Sequence, residues 1–160
     1  AACNVNDVVP EYLRTEILQP KETVATISNA MDVGDPSNFV RILELFDKEF
    51  NQVKNKLSGY TIDDEETLKT IKRVEKDYGY VLDPHGAVAF VALEKYLTEN
   101  DGKGFFLETA HPVKFPDSVE QATGKSVEIP KSLEELMKQG KFTTEINPQY
   151  EELKEFLLKK

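Results

Sequence analysis

The stretch VLDPHGAVAF, residues 81–90, joins an apolar run that is typical of a strand to one that is typical of a helix. Residues 80–82 predict a short buried strand. Asp83 is a favourable N-cap, and Pro84 suits the first helical position, where its missing N–H costs no hydrogen bond. The first turns of residues 87–97 are apolar nearly all round, which predicts a helix buried on most sides. The stretch therefore predicts a strand, a turn and a helix in succession.

The same order of elements recurs on both sides of this stretch. Residues 24–27 and 105–107 are also strand-like, and residues 1–3 are typical of the end of a strand. Because strands that alternate with helices pair in parallel, we expect an α/β fold in which helices flank a parallel sheet. The remaining residues are mainly helical. We therefore expect a division into residues 1–115 and a helical C-terminal tail, 116–160, packed on them.

Apolar residues at helical spacing predict the other helices, and polar or glycine neighbours predict their ends. Thr61 is expected to cap a helix that stops at Gly79, and Gly140 is expected to stop a later helix. The predicted helices are 5–13, 38–50 with a continuation through a turn to residue 57, 61–78, a segment from Pro116, 132–139 and 148–160.

The overall composition argues against several classes of function. The formal net charge of the chain is -9, which is unfavourable for nucleic acid as the main partner, because phosphate backbones are bound by clustered Lys and Arg. No apolar run is long enough to span a membrane. Cys3 is the single cysteine, so no internal disulfide can form, and this fits a reducing compartment. We therefore expect a cytoplasmic protein with no nucleic-acid or membrane partner.

The first residues, AACNVND, contain neither an initiator Met nor a signal-like apolar stretch. This pattern predicts that the chain is a piece of a longer protein whose upstream part precedes Ala1. A tag remnant or a processed terminus is the alternative interpretation of the same residues.

Polar residues follow each of the three internal strand-like segments. The clusters are SNAMDVG at 28–34, DPHG at 83–86 and TAHP at 109–112. Since ligands bind at the carboxyl ends of the strands in an open α/β sheet, the three clusters together predict one site at that edge. Each also has an ordinary structural interpretation: DPHG makes a good helix start, a strand threonine can bond to the backbone, and 28–38 can be a plain polar loop.

Other chemistries have less support in the sequence. His85 and His111 could hold a metal together with nearby carboxylates, but neither HExxH nor paired cysteines are present, and we expect no metal site. No GxSxG elbow and no glycine-rich phosphate loop occurs, and Cys3 gives no case for a nucleophile. The residues by themselves predict part of an α/β protein with a polar site edge.

Four runs, in this order and spacing, resemble the threonine synthases, a family of pyridoxal-phosphate enzymes of the tryptophan-synthase-β fold type. They are NVNDVVPEYL at 4–13, VATISNAMDVGDPSNFVRILEL at 24–45, GYVLDPHGAVAFVAL at 79–93 and ETAHPVKF at 108–115. The second and fourth runs are the most specific, and the residues after Gly124 are much less diagnostic. The resemblance implies that residues 1–115 are the C-terminal part of the cofactor-binding large domain, with its parallel sheet of fold type II.

The resemblance also implies a cofactor, pyridoxal 5'-phosphate, and residues that face it. Thr109 matches the neutral hydroxyl that lies opposite the pyridine nitrogen in this fold type, where it moderates the electron sink. Asp83, His85 and Gly86 match the turn that lies under the cofactor ring. These four residues are therefore the cofactor-binding candidates.

Asn29 and Asp32 are the substrate-binding candidates that the resemblance implies. Asp35 stands where the family more often has Asn, and we expect it to point outwards, because a further negative charge would repel a phosphorylated substrate. The Schiff-base lysine and the loop that holds the cofactor phosphate lie far upstream in the family. No catalytic residue is therefore expected within these 160 residues.

The implied reaction of the whole enzyme converts O-phospho-L-homoserine and water into L-threonine and phosphate, by elimination of phosphate and addition of water. The chain alone is expected to be inactive, and its implied partners are this substrate and the upstream part of the same polypeptide. Two alternatives stay open. One is a non-catalytic ligand-binding module with the same fold, and the other is a different pyridoxal-phosphate lyase of fold type II, such as a threonine dehydratase relative.

Overall fold

The computed structural model describes residues 1–140 and 142–159. Contacts divide the chain into two compact units, Ala1–Glu128 and Ile129–Lys160. The expected boundary after residue 115 does not coincide with this division, because the helix that begins at Pro116 packs on an earlier helix of the first unit.

A short parallel sheet confirms the predicted α/β class. β1 (Ala2–Cys3) pairs with β2 (Tyr60–Thr61), with Ala2 opposite Tyr60 and Cys3 opposite Thr61. The Ile62 N–H extends the pairing with a 2.9 Å hydrogen bond to the Cys3 carbonyl. The strand predicted at the start of the chain is confirmed, whereas β2 lies where the sequence predicts only a helix cap.

The strand-like segment at 24–27 bonds to side chains instead of to a neighbouring strand. The Val24 N–H donates a 2.8 Å hydrogen bond to the side-chain oxygen of Asn6. The Thr26 N–H donates a 3.0 Å hydrogen bond to Asp32 Oδ2. The prediction of a strand here is wrong, because polar side chains take the donors that a sheet ladder would use.

The strand-like segments at 80–82 and 105–107 also pair with no strand among the described residues. Leu82 is fully buried, whereas Phe105 and Leu107 are 84% and 68% exposed. Both strand predictions are wrong for the described chain. The physical reason is that a strand forms only where a second backbone lies alongside it, and local apolar composition does not supply one.

Helices are the main secondary structure of both units. In the first unit they are α1 (Val8–Thr15), α2 (Val40–Leu45), α3 (Phe50–Lys56), α4 (Asp64–Tyr78), α5 (Pro84–Glu99) and α6 (Pro116–Thr123), with short 3-10 turns at Asn29–Met31, Ser37–Phe39 and Pro112–Lys114. In the second unit they are α7 (Lys131–Met137) and α8 (Tyr150–Leu158). None of the helices in the described residues combines the length and the apolar character that crossing a bilayer requires.

Local signals set the ends of α4 and α5. The side chain of Asp63 caps α4 by accepting a 2.8 Å hydrogen bond from a first-turn N–H, so the prediction of Thr61 as the cap is wrong. Gly79 ends α4 with φ of 67°, as predicted, because glycine adopts this left-handed conformation without strain. Asp83 caps α5 and Pro84 is its first residue, which confirms both predictions.

The helix predicted at 38–50 is interrupted between α2 and α3. Asp47 and Lys48 have φ of 51° and 60°, a left-handed conformation that is uncommon outside glycine. The Lys48 N–H donates a 2.7 Å hydrogen bond to a carbonyl of α2 and so closes that helix. Beyond the break, the Phe50 ring lies edge-on to Tyr12 with centroids 5.4 Å apart. Packing against α1 therefore overrides the continuous helical pattern.

α5 lies at the centre of the first unit. One apolar cluster joins it to α4 and α6, and a second joins it to the sheet. Ala87 belongs to the first cluster and Val88 to the second, and both are fully buried. The prediction of a helix buried on most sides is confirmed for its N-terminal half. This two-sided packing fixes the position of residues 83–86.

The second unit, described by itself, consists of α7, α8 and their connection. α7 ends at Met137, so Gly140 lies beyond it and does not act as the predicted left-handed stop. α8 begins at Tyr150, two residues after the predicted start at Pro148. Lys160, the predicted end of the last helix, lies outside the described residues.

Candidate functional site

The candidate site is built around the N-terminus of α5. Asp83 is fully buried, and its Oδ1 accepts a 2.9 Å hydrogen bond from the backbone N–H of His85. Its Oδ2 accepts a longer one, of 3.4 Å, from the Gly86 N–H. The same Oδ1 lies 2.7 Å from Nδ1 of the His85 ring. Asp83 thus both caps the helix and orients the histidine.

His85 connects two of the predicted clusters. Its Nε2 accepts a 3.1 Å hydrogen bond from the backbone N–H of Ala30, in the 28–34 cluster. Because an amide N–H can only donate, Nε2 is unprotonated, and the ring proton lies on Nδ1, facing Asp83. The ring is 6% exposed and lies against Phe115, with centroids 4.8 Å apart. Both nitrogens of the imidazole are therefore occupied by protein groups.

Glu108 brings the segment that leads into the 109–112 cluster to the N-terminus of α5. Its Oε1 accepts a 3.2 Å hydrogen bond from the Asp83 backbone N–H, while Oε2 is buried without a hydrogen-bond partner among the described residues. A Cβ on Gly86 would lie 2.1 Å from Oε2. Gly86 is thus needed to leave room for the Glu108 carboxyl; the sequence predicts a close approach at this glycine but not the identity of its neighbour.

The pKa values of the two carboxyl groups in this cluster are shifted in opposite directions. Burial, followed by the neighbouring Asp83 carboxyl, raises the pKa of Glu108 from an ordinary 4.5 to about 8. Burial would raise the pKa of Asp83 as well, but the contacts with Glu108 and with the N–H groups of His85 outweigh it and hold the pKa below its ordinary value. Near neutral pH the pair therefore holds one proton, on Glu108, and one negative charge, on Asp83.

A second polar network shapes the 28–34 cluster. Asp32 Oδ1 accepts hydrogen bonds from the side chains of Asn4, Asn6 and Thr26, at 2.8, 3.2 and 2.7 Å. Asn4 is 1% exposed and Asn6 6% exposed, so these amides belong to the interior. The Asn-Val-Asn spacing of residues 4–6 is the sequence signal that could have indicated this pair of buried amides, since alternating residues of an extended segment point to one side. The network holds the loop against the end of β1.

The structure places two of the three remaining site candidates, Thr109 and Asn29, at the surface. Thr109, the residue after Glu108, is exposed, as is Asn29, the residue before Ala30. Asp32, by contrast, is partly buried, and its oxygens already accept hydrogen bonds within the chain. Their contacts with a cofactor or substrate stay predictions. Asp35 is exposed, as expected.

His111 and Cys3 do not join the cluster. The His111 ring is exposed, and its Nδ1 accepts a 3.1 Å hydrogen bond from the Val113 N–H at the start of a 3-10 turn. Burial, the largest cause, raises the pKa of the Cys3 thiol, which makes it a weak nucleophile at neutral pH. No group of three or more His, Cys, Asp and Glu side chains in residues 1–140 and 142–159 could hold a metal ion.

The chemistry available here is binding rather than proton transfer. The ionisable groups, Asp83, His85 and Glu108, bond to one another and to the backbone in the interior. The groups that face solvent beside them are a hydroxyl and a carboxamide, on Thr109 and Asn29. Such neutral groups beside a buried, hydrogen-bonded cluster suit the orientation of a polar ligand.

Comparison with known proteins gives a consistent result. A family model described as "Threonine synthase, C-terminal" matches residues 86–157. The chain is 41% identical over 160 residues to the threonine synthase of Buchnera aphidicola subsp. Acyrthosiphon pisum, covering 100% of this chain and 37% of that protein. It is 47% identical over 136 residues to the threonine synthase of Escherichia coli, covering 84% of this chain and 31% of that protein.

Solved structures agree with the sequence comparison. The crystal structure of threonine synthase from Escherichia coli matches with a TM-score of 0.85 and 41% identity, over 99% of this chain and 36% of that one. A structure of threonine synthase from Brucella melitensis with bound PLP matches with a TM-score of 0.75 and 26% identity, over 98% of this chain and 39% of that one. The chain thus spans about a third of the length of the relatives it matches.

Proposed function

We propose that the chain is a segment of a threonine synthase, about a third of the length of the relatives it matches, and that it forms one wall of a pyridoxal-phosphate site. The proposed reaction of the whole protein converts O-phospho-L-homoserine and water into L-threonine and phosphate. The observation that carries the proposal is the buried cluster of Asp83, His85 and Glu108. It ties the predicted substrate segment and the predicted cofactor segment to the same helix N-terminus.

Thr109 is proposed to donate or accept a hydrogen bond at the pyridine nitrogen of pyridoxal phosphate. When bound, this cofactor supplies an electron sink for the carbanions of amino-acid substrates. The residues present fit such a ring. The threonine hydroxyl is exposed and neutral, and the carboxyl beside it, on Glu108, holds its proton because of burial. The ring nitrogen would therefore meet a neutral surface, with the single charge of the pair buried on Asp83.

The segment around Asn29 is proposed to lie close to the substrate. Its side chain is exposed, while Asp32 holds the same loop through hydrogen bonds to Asn4, Asn6 and Thr26. We propose accordingly that Asn29 provides a direct contact and that Asp32 acts by holding the loop. Asp35 faces solvent, where its charge is screened from a phosphorylated substrate.

The proposed partner of the chain is the upstream part of the same polypeptide. In the family that the chain resembles, the upstream part carries the Schiff-base lysine and the loop that holds the cofactor phosphate. We propose that strands of this upstream part pack on the exposed apolar side chains of Phe105 and Leu107. The chain by itself is then inactive, and the whole protein works in the cytoplasm with residues 1–115 as part of its cofactor-binding domain.

The test is phosphate release from O-phospho-L-homoserine, with pyridoxal phosphate added, by two proteins. One is the 160-residue chain, and the other is the full product of the reading frame that contains it. We expect release and threonine formation by the full product alone. Thr109→Val in the full product should lower kcat, and Thr109→Ser should retain most of it. Absence of activity in the full product would refute the proposed reaction, and activity of the chain alone would refute its dependence on the upstream part.

A further inference from the structure

We propose that His85 is a positioning residue, which holds the Asn29–Met31 turn in place through the backbone N–H of Ala30 while Asp83 orients its ring. The proposal rests on the proposed function, in which this turn lies beside the substrate. It changes the role that the family resemblance implies for His85, from a contact with the cofactor to a contact between two parts of the protein.

The geometry leaves His85 no polar atom for a ligand. Nδ1 lies 2.7 Å from Asp83 Oδ1, Nε2 accepts the Ala30 N–H at 3.1 Å, and one face of the ring lies against Phe115. The side chain is also 6% exposed. A cofactor or substrate could hydrogen-bond to the ring only by displacing one of these partners. His85 can therefore influence a ligand only through the turn that it holds.

His85 gives the Asn29–Met31 turn a hydrogen bond to α5, in addition to the Asp32 network and the packing of Met31. The turn's own hydrogen bonds are local: the Met31 N–H donates to the Ser28 carbonyl at 2.9 Å, and the Asp32 N–H donates to the Asn29 carbonyl at 3.1 Å. Asn29 and Ala30 are exposed. The bond from Ala30 to His85 spans 55 positions and links the turn to the N-terminus of the buried helix α5. It therefore sets where the Asn29 side chain points.

The tautomer of His85 is essential to this role, since only an unprotonated Nε2 can accept from an amide N–H. The buried Asp83 carboxylate selects that tautomer by accepting a hydrogen bond from the Nδ1–H group. Glu108, which lies behind Asp83 and bonds to its backbone N–H, keeps Asp83 in place from the other side. The chain of contacts thus runs from the helix cap through the imidazole to the turn.

Two variants of the full reading-frame product separate positioning from other roles. His85→Asn keeps a donor near Nδ1, for Asp83, but has no acceptor at the place of Nε2. His85→Gln has a longer side chain whose oxygen can accept from the Ala30 N–H. We expect the Ala30 amide to exchange with solvent about 10-fold faster in His85→Asn, because one partly buried hydrogen bond is lost, and at nearly the native rate in His85→Gln.

Kinetics and cofactor content complete the test. We expect KM for O-phospho-L-homoserine to rise about 10-fold in His85→Asn with a smaller change in kcat, and to return towards the native value in His85→Gln. Absorbance of bound pyridoxal phosphate should be equal in the native protein and both variants. Unchanged exchange of the Ala30 amide in His85→Asn would overturn the proposal, as would loss of cofactor from both variants. The exchange measurement needs no activity, so it decides the contact even if the proposed reaction is wrong.

Discussion

Two leucines of the first unit lie in similar sequence contexts and have opposite environments. Leu82 precedes the DPHG cluster and is fully buried, whereas Leu107 precedes the ETAHP segment and is 68% exposed. The buried one packs with α4, α5 and α6, all within the chain. The exposed one has no comparable apolar cluster in the described residues. The difference teaches that the base of the candidate site is packed by the chain's own helices, whereas the apolar side chains beside its outer side are exposed.

The largest expected difference between the two regions is in stability. Leu82→Ala should lower the free energy of unfolding of the 160-residue chain by about 2–5 kcal/mol, because it leaves a cavity in a closely packed core. Leu107→Ala should change it by less than about 0.5 kcal/mol, because the side chain is mostly in water already. Urea unfolding followed by circular dichroism measures both. Similar losses for the two variants would show that the 105–107 segment is buried in solution.

The contact between Gly86 and Glu108 offers a second test of the buried region. Gly86→Ala should destabilise the chain by about 1–3 kcal/mol, because the new methyl group overlaps the Glu108 carboxyl. Most of that loss should disappear when Glu108 is also replaced by Ala, which removes the overlapping atoms. The matched control is Gly102→Ala, where the added carbon meets open space and only the φ of 148° opposes it. Equal losses for Gly86→Ala with and without the Glu108 carboxyl would contradict the close approach.

The raised pKa of Glu108 predicts a pH dependence of stability that is confined to the buried cluster. A folded-state pKa of about 8 against an ordinary value of 4.5 means that protonated Glu108 stabilises the folded chain. This contribution is complete below about pH 4.5 and is lost as the pH rises through about 8. We expect a loss of about 1 kcal/mol between those values, less than the full shift implies, because the group is partly screened by solvent.

Glu108→Gln is the control for that measurement, since the amide has no proton to lose. The native chain minus the variant should give a difference in unfolding free energy that declines with pH. The lowered pKa of Asp83 acts in the opposite sense and at lower pH, since its contribution is lost only as the pH falls below its ordinary value. A difference that stays flat from pH 5 to pH 8 would contradict a protonated Glu108.

The smallest expected effect is on the exposed side. Phe105→Ser should leave the unfolding free energy within about 0.5 kcal/mol of the native value, because the ring is 84% exposed. It should reduce self-association of the 160-residue chain, since exposed apolar patches promote contacts between molecules. Sedimentation velocity at several concentrations measures this. Association that is unchanged by Phe105→Ser would place the contact surface elsewhere.

Much of the buried region could be predicted from sequence because its signals are local. Asp83 and Pro84 start α5, and Gly79 stops α4, through hydrogen bonds and backbone preferences within a few residues. The approach of Glu108 to Gly86 could not be predicted, because it joins residues 22 positions apart that share no pattern. Thr61 was also ambiguous, since a β-branched hydroxyl residue is favoured both in a strand and as a helix cap.

The strand predictions failed for the opposite reason. A strand is defined by its partner, and the donors of Val24 and Thr26 go to the side chains of Asn6 and Asp32. No local feature of the 24–27 segment indicates that these side chains would take the place of a second backbone. The proposed substrate role of Asn29 and cofactor role of Thr109 rest on the family resemblance and on their exposure, since a hydroxyl and an amide at a surface have many ordinary uses.

The most direct measurement of the central claim is the fate of oxygen when the full reading-frame product acts on O-phospho-L-homoserine in ¹⁸O-labelled water. Elimination of phosphate followed by addition of water breaks the bond between carbon and oxygen. The account therefore predicts one ¹⁸O in the hydroxyl of threonine and none in the phosphate. Label in the phosphate together with homoserine would indicate a phosphatase, and ammonia with a keto acid would indicate a dehydratase. Either result would contradict the assignment of this chain to a working threonine synthase.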